Sequence, residues 1–193
     1  AILPVIGELI SVPLVTYSIT KIEWKGAKII FGLVLITMMV PWQVTQIPLF
    51  TTWSKLGLVN TYTPLVLPAF FGGSYYIYLM RQFMVGIPNS FIESARIYGA
   101  SEFKIVKTIM MPRCKPILTT IALMVFIGGW NDLQGPLMYL QQSDKYTLSV
   151  GLNSLMNDIT IKRQSEFLMA ASFLFSIPLI VLFAIFQKQF ING

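Results

Sequence analysis

Side chains able to do covalent chemistry are scarce in this sequence. It has no histidine and one cysteine, Cys114. Histidine triads, His/Cys zinc sites, haem held by histidine and disulfide scaffolds are therefore excluded. No G-x4-G-K-[ST] run occurs, so the sequence offers no P-loop to cradle phosphates. The chain is expected to be no enzyme and to bind no cofactor or metal of its own. Its charged residues concentrate instead in residues 81–115. That stretch carries Arg81, Arg96, Lys104, Lys107, Arg113 and Lys115, with Glu93 and Glu102 as acids. Two carboxylates with no metal or nucleophile set around them make a poor reaction centre. They suit a contact surface better.

The grammar of this segment is helical. Pro88 sets the entry, and Ser90 and Glu93 have the S-x-x-E spacing of a capping box. Phe91, Ala95 and Tyr98 recur at i, i+4 and i+7, on one face. Gly99 is placed to end the helix in a left-handed conformation. Ser101 can cap a second helix, which Pro112 limits. The expectation is a short helix, a break and another helix. Eight residues reach ~12 Å at 1.5 Å per residue, a knob sized for a partner's cleft.

The elements around this segment are apolar. Of 193 residues, 55% are hydrophobic and 11% charged, with a mean hydropathy of +0.69. A soluble domain carries about 25% charged residues, so the composition excludes a water-soluble globule. A bilayer core of roughly 30 Å needs about 20 apolar residues per helix. Five stretches qualify: 1–20, 29–54, 56–80, 116–131 (extendable to about 140) and 167–187. Kinks or helix ends are expected near Pro41 and Pro68. The expected fold is an all-α polytopic membrane bundle, a single domain over 1–193, with five spans.

Net charge is +6, from 14 basic and 8 acidic residues. Nucleic acid is not needed to explain it. With five alternating spans, Lys21, Lys25, Lys28, the six basic residues of 81–115 and Lys188 share one side. Lys55, Lys145, Lys162 and Arg163 fall on the other. The basic-rich side is the cytoplasmic one. Segment 81–115 is then cytoplasmic, segment 132–166 extracytoplasmic, residue 1 outside and the C-terminus inside. An outside start with no signal-like stretch ahead of it leads to the expectation of an N-terminally incomplete chain, with six spans in the parent.

Residues Glu93, Ser94, Ala95, Gly99, Ile109 and Pro112 resemble the E-A-A-x3-G-x9-I-x-L-P signature of permease subunits of ATP-binding-cassette importers. Ser94 replaces the first small alanine and Met111 the leucine. The runs "TMMVPWQVTQIPLF", "LGLVNTYTPLVLP", "RQFMVGIPNSFIESARIYGAS" and "GGWNDLQGPLMYL" look like the carbohydrate-uptake branch, in its maltose-G-type half. The resemblance implies a type I importer fold in a bacterial or archaeal inner membrane. It implies a cytoplasmic ATPase dimer holding the ATP, a second and different permease, an extracytoplasmic solute-binding protein and a sugar substrate, within membrane lipid. It assigns ATPase coupling to Glu93, Ser94, Ala95, Arg96, Gly99, Ile109 and Pro112.

Blander readings stand beside these. Ser90 and Glu93 also read as a simple helix cap, and Arg96, Lys104 and Lys107 as solvated charges. Trp130, Asn131 and Asp132 read either as an interfacial anchor with a wet polar pair or as lining of a sugar path, for which aromatic faces and amide or carboxylate groups are suitable. The alternative function is an ion-coupled secondary transporter, which needs intramembrane ionisable groups. Glu8 is the one within the expected spans.

Overall fold

The computed structural model describes residues 1–157 and 165–191, and among them every regular element is helical. The longer elements are α1 (Ile2–Thr20), α2 (Ala27–Met39) and α3 (Trp42–Lys55). A short α4 (Thr63–Val66) runs into a 3₁₀ turn, Leu67–Phe71, before α5 (Ser74–Val85). Then come α6 (Ser90–Ile97), α7 (Glu102–Ile105), a π turn at Val106–Met110 and α8 (Met111–Arg113). The remainder comprises α9 (Lys115–Asn131), α10 (Gln134–Tyr139), a 3₁₀ turn at Ser143–Lys145, α11 (Leu148–Asn157) and α12 (Ser165–Ile191).

The apolar stretches become helices less simply than length implies. Among the described residues, two helices are long and apolar enough to cross a bilayer unaided: α1, and α12 over Glu166–Gln187. Stretch 29–54 is not one straight span. It bends by 100° between α2 and α3. The cause is Pro41, which pushes Val40 out of the helical region to φ −78°, ψ 116°. A second bend, of 82°, separates Glu102–Arg113 from α9. Stretch 56–80 is interrupted near Pro68, as expected, and at further points. Its first residues are turns, and its helix breaks around Pro68 and at Gly72, whose φ of +84° suits glycine alone. The five expected stretches are thus not five straight helices, and the break at Pro41 falls where the proline predicts it. Helices α10 and α11 lie within the outer segment 132–166. Asp158, Lys162 and Arg163 lie outside the described residues.

Helix α1 is the hub. It packs on the Leu67–Phe71 turn, α5 and α9. Val12, Tyr17 and Ile19 join Met80, Met84, Ile92, Ile105, Met110 and Ile121 in one buried cluster. Gly129, near the end of α9, lies against Ala1, whereas Tyr17 and Lys21 meet residues 87–102. So α1 and α9 run antiparallel, and the bundle has two distinct ends. One end gathers 21–28 with 81–115. At the other, Asn60 and Tyr62 are tied to 139–145: Asn60 donates its N–H to the Tyr139 carbonyl (2.7 Å), and Lys145 Nζ donates to the Asn60 carbonyl (3.0 Å).

Candidate functional site

Helix α6 is eight residues long, as its spacing predicts. Its start is a correction. Asn89, not Ser90, occupies the N-cap, and it makes no side-chain cap bond. The Asn89 amide oxygen is already taken, accepting from Lys21 Nζ at 2.8 Å. Ser90 sits inside the first turn, so the capping box with Glu93 does not form. The end is as expected. Gly99 has φ +75°. Its N–H donates to the Arg96 carbonyl (2.9 Å), and the Ala100 N–H donates to the Ala95 carbonyl (3.0 Å). These two bonds are a Schellman motif, which satisfies the last carbonyls and stops the helix. Ser101 caps α7, its hydroxyl accepting from the Lys104 N–H at 3.4 Å. The second helix ends at Arg113, one residue past Pro112, where the chain bends by 82° into α9. Proline lacks an N–H and crowds the preceding turn, and the wider π turn occupies that position.

One face of this segment is buried and the rest is open. Ile92 is the anchor, 2% exposed in the shared core, with Ala95, Ala100 and Ile109 packed partly behind it. Phe91 and Tyr98 do not share a buried face with Ala95. Phe91 is 42% exposed and Tyr98 90%. Phe91 lies under the Arg113 guanidinium, 3.9 Å from its ring centroid, which ties α6 to α8. Ile97 and Phe103 are also open, so an apolar rim flanks Gly99. Glu93, Ser94, Gly99 and Pro112 are all exposed.

Arg96 is not a free solvated charge. Its Nε donates to Glu102 Oε1 at 2.7 Å and its Nη2 to Oε2 at 3.2 Å, a bidentate pair across the Gly99 break. An exposed pair of this kind contributes about 0–1 kcal/mol, but its fork geometry fixes angle as well as distance. The Arg96 guanidinium, and then the hydroxyl of Tyr17 donating to Oε2 at 2.5 Å, hold the Glu102 carboxyl below its usual range. The pair's contribution is therefore present at neutral pH and lost only as pH falls through that depressed value. Beside α6, Lys21, Glu23, Asn89, Ile92, Glu93 and Arg96 line a polar recess of about 270 Å³.

Trp130, Asn131 and Asp132 lie at the far end of α9. Trp130 stacks on Phe126 and donates its indole N–H to the Phe175 carbonyl at 3.1 Å, joining α9 to α12. Asp132 accepts the Gly135 N–H (3.1 Å), and its carbonyl accepts from Ser149 Oγ (2.6 Å). Asn131 is exposed and its amide donates to the Ile127 carbonyl (3.0 Å). Two of the three thus hold neighbouring elements in place. Residues 93–112 and this trio lie toward opposite ends of α9.

Apolar helices packed around the α1 hub, with the short α6 exposed at one end, are the architecture of a membrane subunit. Comparison gives the family. Residues 11–192 match the model of the binding-protein-dependent transport system inner membrane component, and the chain belongs to that family. ATP hydrolysis therefore falls to a separate subunit. Over its whole length the chain is 34% identical to the arabinooligosaccharides transport system permease protein AraQ of Halalkalibacterium halodurans, covering 68% of that protein. It is 34% identical to the galactooligosaccharides transport system permease protein GanQ of Bacillus subtilis, over 97% of this chain and 66% of the relative. The chain thus spans about two thirds of these relatives. A bacterial ABC transporter involved in import of the acidic polysaccharide alginate contains a similar chain. The TM-score is 0.83 at 27% identity, over 96% of this chain and 70% of that one.

Proposed function

We propose that this chain is one permease half of an ATP-driven oligosaccharide importer and that α6 is its coupling helix. The observation that carries this is α6 itself: a short helix anchored by Ile92, ended by a Schellman motif and stiffened by Arg96–Glu102, with its Ile97–Tyr98–Gly99 edge outward. Glu93, Ser94, Gly99 and Pro112 face the ATPase dimer, while Ala95 and Ile109 set the helix on its core. A second, different permease completes the path, and a solute-binding protein delivers the sugar at the far end. Of the far-end trio, Asn131 is the residue left open to line the path. The importer reading predicts that complexes reconstituted with their own ATPase, companion permease and binding protein take up labelled arabino- or galacto-oligosaccharides only with ATP inside. Uptake driven by an ion gradient without ATP would overturn it.

The end bearing 21–28 and 81–115 is cytoplasmic in this proposal, and that bearing 55–62 and 139–145 is outside. The basic-residue bias supports it, and the inter-loop hydrogen bonds pair the same loops at each end. Single cysteines in a Cys114-free background are expected to label at position 144 and not at position 104 when intact cells meet a membrane-impermeant thiol reagent. The reverse pattern would invert the orientation.

A further inference from the structure

We infer that the inner end of α1 is clamped directly to the coupling segment, so that α1 follows α6 through side-chain contacts and not only through the chain. The inference rests on the coupling role of α6. Two contacts make the clamp. Tyr17, 2% exposed, donates its hydroxyl to Glu102 Oε2, and the same carboxylate holds Arg96 of α6 in its fork. One turn further, Lys21 Nζ donates to the Ile87 carbonyl at 2.6 Å and to Asn89 Oδ1 at 2.8 Å, gripping the two residues that lead into α6. The partners are 66 to 85 residues apart in sequence, so no local turn forces them together.

Geometry makes the clamp stiff. Hydrogen bonds to charged groups are stronger and more directional than neutral ones, and the two grips lie on both sides of α6, at its entry and just beyond its exit. The covalent routes are softer. One passes through the turn at 86–89 before α6, the other through the Gly99 break, the π turn and the 82° bend at Cys114. Helix α1 in turn touches the Leu67–Phe71 turn, α5 and α9. A displacement of α6 delivered to α1 therefore reaches all three at once. Tyr17 and Lys21 are positioning residues in this scheme: they touch neither the ATPase nor the path.

The test cuts the clamp from the α1 side, leaving the Arg96–Glu102 pair intact. Tyr17→Phe keeps the buried ring and loses one hydroxyl, and Lys21→Met keeps the stem and loses the ammonium. The full complex, in lipid nanodiscs, carries spin labels at positions 90 and 181 or at positions 23 and 181. Distances are measured without nucleotide and after trapping with ATP, magnesium and vanadate. In the otherwise native protein both pairs are expected to shift on trapping. In Tyr17→Phe/Lys21→Met the 90–181 shift is expected to persist while the 23–181 shift falls by at least half. The single Tyr17→Phe variant should lose part of it in the same direction, which keeps the test available should the double variant assemble poorly. A 23–181 shift of native size in both variants would overturn the clamp and leave the coupling role standing. Absence of any 90–181 shift in the otherwise native complex would overturn the coupling role, and the clamp with it.

Discussion

Gly99→Leu is expected to leave the subunit in the membrane at near-normal levels and to cut substrate-stimulated ATP hydrolysis and uptake roughly tenfold or more. Two physical effects separate here. At φ +75° any side chain meets a backbone penalty, about 1–2 kcal/mol for an L-residue in the left-handed region. That cost falls on the Schellman stop and loosens the end of α6. The second effect is bulk. Among the described residues, its two chain neighbours aside, no atom lies within 4 Å of a Cβ placed at Gly99, so leucine meets open space there and projects toward whatever docks. Forcing methylenes into a packed contact costs typically 1–3 kcal/mol, and 1.4 kcal/mol is a factor of ten in binding. Gly99→Ala isolates the first effect, because a methyl adds strain with little reach. Copurification of the ATPase and stimulated turnover are the measurements. A mild Gly99→Ala and a severe Gly99→Leu would place the partner against this residue. Full stimulation in Gly99→Leu would reduce the segment to a solvated loop.

The short helix, its glycine stop and the Ser101 cap were legible because each depends on residues within four positions of one another. The Ser90 cap was misread for a reason outside that window. Lys21, 68 residues away, takes the Asn89 side chain, and the helix starts one residue earlier than the S-x-x-E spacing places it. Arg96 looked like a solvated charge because its partner Glu102 stands at i+6, a spacing no helical periodicity marks. The roles of Tyr17 and Lys21 carry no sequence signal: a tyrosine and a lysine at the end of an apolar helix are ordinary. The long apolar runs gave the helical class and the first and last spans. The prolines marked breaks near Pro41 and Pro68, but not the one at Gly72 nor the 100° size of the first bend, because hydropathy averages over a window and a single residue sets the bend. Trp130 and Asp132 illustrate the same limit. Their types suit a sugar path, but their bonds to Phe175 and Gly135 are decided by what the fold brings beside them.

Replacing Glu8 separates the two transport mechanisms. Its carboxylate, 5% exposed in the middle of α1, accepts the Gly73 N–H at 2.8 and 3.1 Å. Gly73 is the N-cap of α5, and its own N–H is the donor that the carboxylate of a capping box ordinarily takes. Glu8 supplies the acceptor from across the bundle, immediately after the Gly72 break. One turn along α1, Ser11 Oγ donates to the Ala69 carbonyl at 3.0 Å. The pair fastens α1 to both sides of the interruption. Glu8→Ala leaves the Gly73 N–H unpaired in an apolar interior, at about 1–3 kcal/mol, and is expected to lower the thermal midpoint and yield of the assembled complex. Glu8→Gln retains a carbonyl acceptor of the same reach while removing the ionisable group. Near-native stability and ATP-driven uptake are expected of Glu8→Gln, with the pH profile of uptake unchanged. An ion-coupled carrier behaves oppositely, since a proton or cation site at Glu8 cannot survive loss of the carboxylate. Stable Glu8→Gln complexes that no longer transport would therefore move Glu8 from a structural clasp to a coupling site.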